Sequence, residues 1–378
     1  MIELLFLLLP LAFYSGWRAS GKSLKRQSPE KRQLSDNFVK GVNFLLDEQP
    51  DKALDVFLNR PEIDEYTAET YLLLGNLFRN RGEMDRALSV HQNLIGRASL
   101  SREQKSITML ALGKDFLAAG MMDRAESVFT ELLQTNPSDT EARKALRDIY
   151  EQTQEWEKAI SVTESVAETE NVSHLIANYH CELAEQALQK GHIQEVNELL
   201  GKAFAAAPNS NRISILRADV LSMQQDYTAA SDAYLKVAKV APQLLAMIYP
   251  AMVKAYTEAG IIGTLQQDLF ELFEASSDVK VLEFALRLSI EHGADAVVEE
   301  RLPDVLSTRQ LNVRTISKAV TVYKAKNPSS EPLQLIDKAL GNYLSSQPGF
   351  QCMHCGYKMH DFLWRCPACN HWDEVAHV

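Results

Sequence analysis

Apolar positions along this 378-residue chain follow two patterns. Residues 1–17 are almost wholly apolar and finish with Tyr14 and Trp17. From about residue 36 the pattern is that of amphipathic helices, and its landmarks return every 34 residues. Gly41, Phe44, Ala53 and Phe57 recur 34 residues on as Gly75, Phe78, Ala87 and His91, and 38 residues later as Gly113, Phe116, Ala125 and Phe129. The extra four residues fall in the linker Ser99–Gln104, where a longer turn leaves the helix faces in register. Ala159 follows Ala125 by 34 with Tyr150 at the aromatic position, Ala230 follows Val196 by 34, and Pro242 follows Pro208 by 34.

Each period predicts a helix–turn–helix. Gly75 and Gly113 let two helices approach closely, Ala87 and Ala125 do the same from the second helix, and Phe78 and Phe116 fill the space between neighbours. Gly82 and Gly120 suit the turn between helices, where φ is positive, and Pro137, Pro208 and Pro242 end second helices. This pattern resembles tetratricopeptide repeats, with units beginning near residues 34, 68, 106, 140, 177 and 211. Tyr256 with Gly260 and Gly293 with Val298 keep parts of it, and amphipathic helices continue through Ile336–Tyr343. The expected fold is mostly α, a helical solenoid over residues 36–346. Binding in such a solenoid falls to polar positions of first helices on the concave face, which nominates Asn76, Arg79 and Lys114 as partner contacts.

The N-terminal run would reach about 25 Å as a helix, slightly short of a bilayer core. No basic residue precedes it, and its small-x-small candidate, Ala19-Ser20-Gly21, lies beyond Trp17 and Arg18, so it reads as an uncut transmembrane anchor over residues 1–20 rather than a signal peptide. A basic juxtamembrane linker follows at 21–35. The first 32 residues hold six basic side chains against Glu3 and Glu30, a charge of +4 that leaves −15 on the rest of a chain whose total is −11. The positive-inside rule then puts the N-terminus outside and the body in the cytoplasm. An acidic body argues against nucleic acid as a partner.

Four of the five cysteines form two Cys-x-x-Cys pairs, Cys352/Cys355 and Cys366/Cys369, and Cys181 stands alone in a helical stretch as a small core hydrophobe. Two knuckle turns on facing hairpins bring four thiolates to one tetrahedral ion, with Gly356 and Asn370 at the places that need positive φ. About 30 residues are too few for a sufficient core, so the ion should supply much of the folding free energy of residues 347–378. Phe350, Tyr357, Phe362, Trp364 and Trp372 are expected to cover the site and pack on the last helices, and His354, His360 and His371 are expected not to ligate, because four thiolates complete the shell. Cys355-Gly356-Tyr357 followed by Cys366-Pro367-Ala368-Cys369 resembles the ligand loops of rubredoxin, which binds iron; zinc ribbons use nearly the same geometry.

The anchor, the repeats with Gly-Val-Asn-Phe-Leu-Leu at 41–46 and Leu-Gly-Asn-Leu-Phe-Arg at 74–79, and the rubredoxin-like tail together resemble the lipopolysaccharide assembly protein B family. That resemblance implies a single-pass bacterial inner-membrane protein facing the cytoplasm. It implies that the protein limits lipopolysaccharide synthesis by promoting degradation of the lipid A deacetylase, UDP-3-O-acyl-N-acetylglucosamine deacetylase, by a membrane AAA protease, and that it contacts other lipopolysaccharide-assembly proteins. It also implies iron as the metal, held by Cys352, Cys355, Cys366 and Cys369. A homodimer is compatible with the sequence. No Gly-rich phosphate loop, His-Glu-x-x-His or nucleophile elbow occurs, so an adapter is expected rather than an enzyme. The rival readings are rubredoxin-like electron transfer and a scaffold for a different membrane complex.

Overall fold

The computed structural model describes residues 65–97, 100–165, 172–293 and 296–378, together with Lys40, Gly41, Asn43, Phe44, Gln49, Lys52, Ala53, Asp55 and Val56. The expected anchor at 1–20, the basic linker at 21–35 and Phe57 lie outside these residues. Among the described residues no helix is long and apolar enough to cross a membrane. They form a tetratricopeptide-repeat fold of helical hairpins that ends in a small three-stranded sheet.

The chain divides into two compact units, Met1–Ile149 and Tyr150–Val378. The first contains α1 (Glu65–Asn80), α2 (Met84–Ile95), α3 (Arg102–Ala118) and α4 (Met122–Thr135), and the division falls within α5 (Thr140–Thr153). The second continues with α6 (Trp156–Glu164), α7 (Ser173–Gln189), α8 (Ile193–Ala206), α9 (Asn211–Met223) and α10 (Tyr227–Val240). After a short 3-10 turn at Pro242–Leu244 come α11 (Leu245–Glu258), α12 (Ile262–Ser276), α13 (Val279–His292), α14 (Ala296–Thr308), α15 (Val313–Lys326) and α16 (Glu331–Ser345).

The repeat positions act as their residue types require. A Cβ on Gly75 would lie 2.3 Å from the His91 ring, and one on Gly113 would lie 2.3 Å from the Phe129 ring, so each glycine admits the aromatic side chain of the paired helix. Ala87, Ala125, Ala159 and Ala230 are fully buried at the same junction. Gly82 and Gly120 turn the hairpins with φ of +81° and +73°. Pro137 and Pro208 follow the ends of α4 and α8, while Pro242 opens the 3-10 turn. The repetition is regular enough to superimpose by number: α3 and α4 reappear as α7 and α8 with every boundary displaced equally, and α5 begins where the same displacement puts α9. Under that shift Lys114 corresponds to Glu185, Glu141 to Arg212 and Ile107 to Asn178.

His91 stands where Phe129 stands in the next unit, and its fully buried ring needs polar company. Its Nδ1 lies 2.5 Å from Asp115 Oδ2, and the other Asp115 oxygen accepts from Arg79 at 2.8 Å. Asn76 Oδ1 accepts from the same guanidinium at 2.6 Å.

The close approach at Gly113 yields a direct test. Gly113→Ala should destabilise the protein by about 1–3 kcal/mol through overpacking against Phe129, read as a lower denaturant midpoint. The pair Gly113→Ala with Phe129→Leu should recover part of that loss.

Candidate metal centre and its seat on the repeats

Three short strands build the centre. β1 (Phe350–Cys352) pairs antiparallel with β2 (Lys358–Met359) on one side and with β3 (Val375–His377) on the other. The two knuckles repeat one backbone design. In the first, Gly356 N–H donates to Cys352 O at 2.8 Å and Cys352 N–H to Tyr357 O at 2.8 Å. In the second, Asn370 N–H donates to Cys366 O and Cys366 N–H to His371 O, both at 2.9 Å. Gly356 and Asn370 take φ of +78° and +61°, which turns the chain tightly enough to aim both thiols of each pair at one point.

The four sulfurs lie within 4.8 Å of one another. Cys352 Sγ is 3.7 Å from Cys369 Sγ, and Cys355 Sγ is 3.7 Å from Cys366 Sγ. A tetrahedral ion bound at about 2.3 Å from each thiolate needs sulfurs about 3.8 Å apart, so donor set and spacing both fit such an ion. Cys352 and Cys366 are buried, Cys369 half-buried and Cys355 exposed. Burial works to raise the Cys366 thiol, but the amides of Cys369 and Ala368 outweigh it and bring it down to about 7. The His371 amide lowers the Cys369 thiol, yet burial and the neighbouring sulfurs prevail and push it up to about 12. Four crowded thiols therefore resist full ionisation alone, and a bound cation would supply the compensating charge and cross-link both knuckles. His354 and His371 stack on each other, ring centroids 3.6 Å apart, at the exposed surface. Cys181 is fully buried, with its thiol pushed up to about 12, mainly by burial.

The knuckle does not rest only on the last helices, where its aromatic residues were expected to pack. It lies along the second unit from α5 to α13. Trp372 enters a cluster with Trp156 and Tyr179, ring centroids 6.0 and 5.9 Å away, and its Nε1 donates to Glu151 Oε1 at 3.3 Å. Glu151 also accepts from the Tyr179 hydroxyl and pairs with Arg365 at 2.8 Å. Asn178 Nδ2 donates to Asp373 at 2.8 Å. At the other end Lys280 donates to His377 O, and the Phe284 ring lies tilted against the His377 ring, centroids 5.9 Å apart. Phe362 and Trp364 pack on the core of the later helices.

Arg212 is the centre of this seat. Its side chain is 1% exposed, and it donates to Glu182 at 2.7 Å, to Glu185 at 2.8 Å and to Asn178 at 3.2 Å. Its guanidinium carbon lies 5.1 Å from the Trp364 ring and 5.8 Å from the Trp372 ring. A planar cation can satisfy carboxylates in its plane while both indoles meet its π surface, a task that Lys could not perform. Sequence reading named none of Glu151, Asn178 and Arg212. The available signal was a basic residue at 212 where the corresponding position holds Glu141.

The three nominated partner contacts fall in the first unit. Arg79 donates to Asn76 of its own helix and to Asp115 of α3, and Lys114 pairs with Glu141 at the surface.

Arg212→Ala should cost about 3–5 kcal/mol, because it leaves Glu182 and Glu185 without their cation and the indoles without a floor. Denaturant titration followed by tryptophan emission measures both the loss and the released rings. Acid gives a second test. Burial, then the charges of Arg314 and Lys280, bring the His377 imidazole from 6.5 down to about 4. The unfolded chain takes up a proton below about 6.5 that the folded chain refuses until about 4, so stability present above 6.5 is lost as the pH falls through that window. His377→Gln should shrink the loss between pH 6.5 and 4, measured by denaturant midpoints at matched pH.

Residues 350–375 match the family described as rubredoxin metal binding domain, and residues 70–106 and 116–177 match tetratricopeptide repeat families. Lipopolysaccharide assembly protein B of Escherichia coli strain K12 is 33% identical over 389 aligned positions, covering 100% of this chain and 98% of that protein. The protein of the same name from Haemophilus influenzae is 33% identical over 401 positions, with the same coverage. Among solved structures, a tetratricopeptide repeat protein from Parabacteroides merdae covers 73% of this chain and is itself covered in full, at 13% identity and a TM-score of 0.34. The two full-length relatives and the repeat-family matches make this a repeat protein of the adapter type rather than an enzyme, and the chain belongs to the lipopolysaccharide assembly protein B family.

Proposed function

We propose that this protein is a membrane-anchored adapter that restrains lipopolysaccharide synthesis from the cytoplasmic face of the bacterial inner membrane. Residues 1–20 act as a single-pass anchor with the N-terminus in the periplasm, and the basic linker at 21–35 holds the cytoplasmic side. The repeats hold the lipid A deacetylase and present it to a membrane AAA protease, and they engage other lipopolysaccharide-assembly proteins.

The observation that carries this reading is the seat of the knuckle. Trp372, Trp364 and Arg365 are committed to α5, α6 and α9, which supports a role for the ion in shaping the repeats. The four thiolates fit iron and zinc alike, and the family resemblance favours iron.

Deacetylase turnover in cells decides the matter. Cys352→Ser and Cys366→Ser should each prolong the deacetylase half-life several-fold, and removal of residues 1–20 should do the same while leaving the metal bound. Normal turnover in the cysteine variants overturns a metal-shaped adapter. A visible spectrum of the purified protein identifies the metal, since an iron tetrathiolate is coloured and a zinc one is not.

A further inference from the structure

The four sulfurs of the knuckle do not meet solvent equally. Cys352 and Cys366 are fully buried and Cys369 is half-buried, while Cys355 is exposed. Its surroundings are open as well, since every residue from Met353 to Lys358 is exposed, Met353 at 66% and Tyr357 at 47%. The seat on the repeats accounts for the asymmetry. Trp364, Arg365, Trp372 and Asp373, the residues committed to the repeats, flank the second cysteine pair, and the tip of the first knuckle is left to water. A site with four protein ligands is closed to further ligands, yet this one keeps one of its sulfurs where a solute can reach it.

The neighbours of the sulfurs are specific too. Cys355 Sγ lies 3.7 Å from Cys366 Sγ, and Cys352 Sγ lies 3.7 Å from Cys369 Sγ, so each sulfur of the first knuckle has a near neighbour in the second. A metal-bound sulfur is already a thiolate, the form that attacks an oxidant. An accessible thiolate beside a second sulfur is the arrangement of a reversible redox cysteine and its resolving partner. Cys355 has both attributes, whereas Cys181 is fully buried in the repeats.

We infer that Cys355 is an oxidation site for a hydroperoxide, and that Cys366 resolves it to a disulfide that ties the two knuckles together and releases the ion. The Cys355 thiolate attacks the terminal peroxide oxygen, the O–O bond breaks, the sulfur becomes a sulfenic acid, and the departing alkoxide takes a proton from water. The Cys366 thiolate then attacks that sulfur, the S–S bond forms, and hydroxide leaves and is protonated. Two thiolates lose two electrons in total while one hydroperoxide is reduced to an alcohol and water. Cys352 and Cys369 alone cannot complete a tetrahedral shell, and a thiol reductant reverses the disulfide by exchange.

The repeats register this change. The new bond closes residues 356–365 into a loop that carries Trp364 and Arg365, and it draws the second knuckle toward the first. The indole over Arg212 and the guanidinium on Glu151 have to follow. For its consequence in cells this inference rests on the metal-shaped adapter reading, and it makes that adapter responsive to peroxide.

The test uses the full chain loaded with zinc and treated with hydrogen peroxide. Zinc release is followed with a chromogenic chelator, and disulfides are mapped by mass spectrometry after free thiols are blocked. The Cys355–Cys366 disulfide should accumulate first, tryptophan emission should change in step with zinc release, and dithiothreitol with added zinc should restore both. Cys355→His keeps a donor set of three thiolates and one imidazole that suits zinc but removes the exposed thiolate, so its zinc should leave at least about tenfold more slowly. Cys369→His has the same donor count, keeps Cys355 and Cys366, and should release zinc as fast as the unaltered protein. Zinc retained under peroxide, a first disulfide that lacks Cys355, or unslowed release from Cys355→His each overturns the site, and the disulfide map of the unaltered protein decides it even where a variant fails to load. Deacetylase half-life in cells separates the two levels. A half-life that lengthens under peroxide in the unaltered strain but not in Cys355→His supports the regulatory consequence, and one unmoved by peroxide overturns it without touching the adapter. Normal turnover in Cys352→Ser and Cys366→Ser overturns the metal-shaped adapter and leaves the oxidation site standing on its disulfide map.

Discussion

A single buried guanidinium organises the second unit. Arg212 could not stay charged in an apolar interior without compensation, and it receives it from several sides: two carboxylates of α7, the Asn178 side-chain amide oxygen and two indole faces from the knuckle. The carboxylates and the guanidinium belong to the repeats, while the indoles belong to residues more than a hundred positions later. Repeat packing and metal-centre packing are thus satisfied by one side chain. Glu185 shows the strain of the arrangement, since burial raises its pKa against the pull of Arg212.

The metal centre and its seat depend on each other through the same aromatic residues. Trp364 lies just before the second cysteine pair and Trp372 just after it, so the knuckle turns that aim the sulfurs also aim the rings. An ion that fixes those turns fixes the presentation of both indoles. The repeats in return cover one side of a thirty-residue element that is too small to carry its own core.

Much of this architecture was legible in the sequence, and the limits have physical causes. Gly75, Gly113, Ala87 and Ala125 announced the helical hairpins because close approach permits few residue types, and the cysteine spacing announced the knuckles because four ligands must meet. The seat was not legible. Trp372 reaches Glu151 and Asp373 reaches Asn178 across long stretches of chain, and nothing in local spacing reports such a pairing. Asn76 and Arg79 look like free polar positions of a first helix, yet His91 in an aromatic slot calls for Asp115, and Asp115 calls for Arg79. Polar residues at repeat positions carry two meanings, and only the occupant of the neighbouring slot distinguishes them.

The knuckle is fastened at two separated places, to Glu151 at the end of α5 and to Lys280 at the start of α13. Stacked hairpins bend and extend like a spring, because each touches chiefly its neighbours. A brace across many turns of a spring removes that freedom: α5 and α13 cannot draw apart without breaking one fastening. The stiffness of the second unit is therefore not a sum of its hairpin interfaces. It is set by a crosspiece whose own rigidity comes from four sulfur atoms.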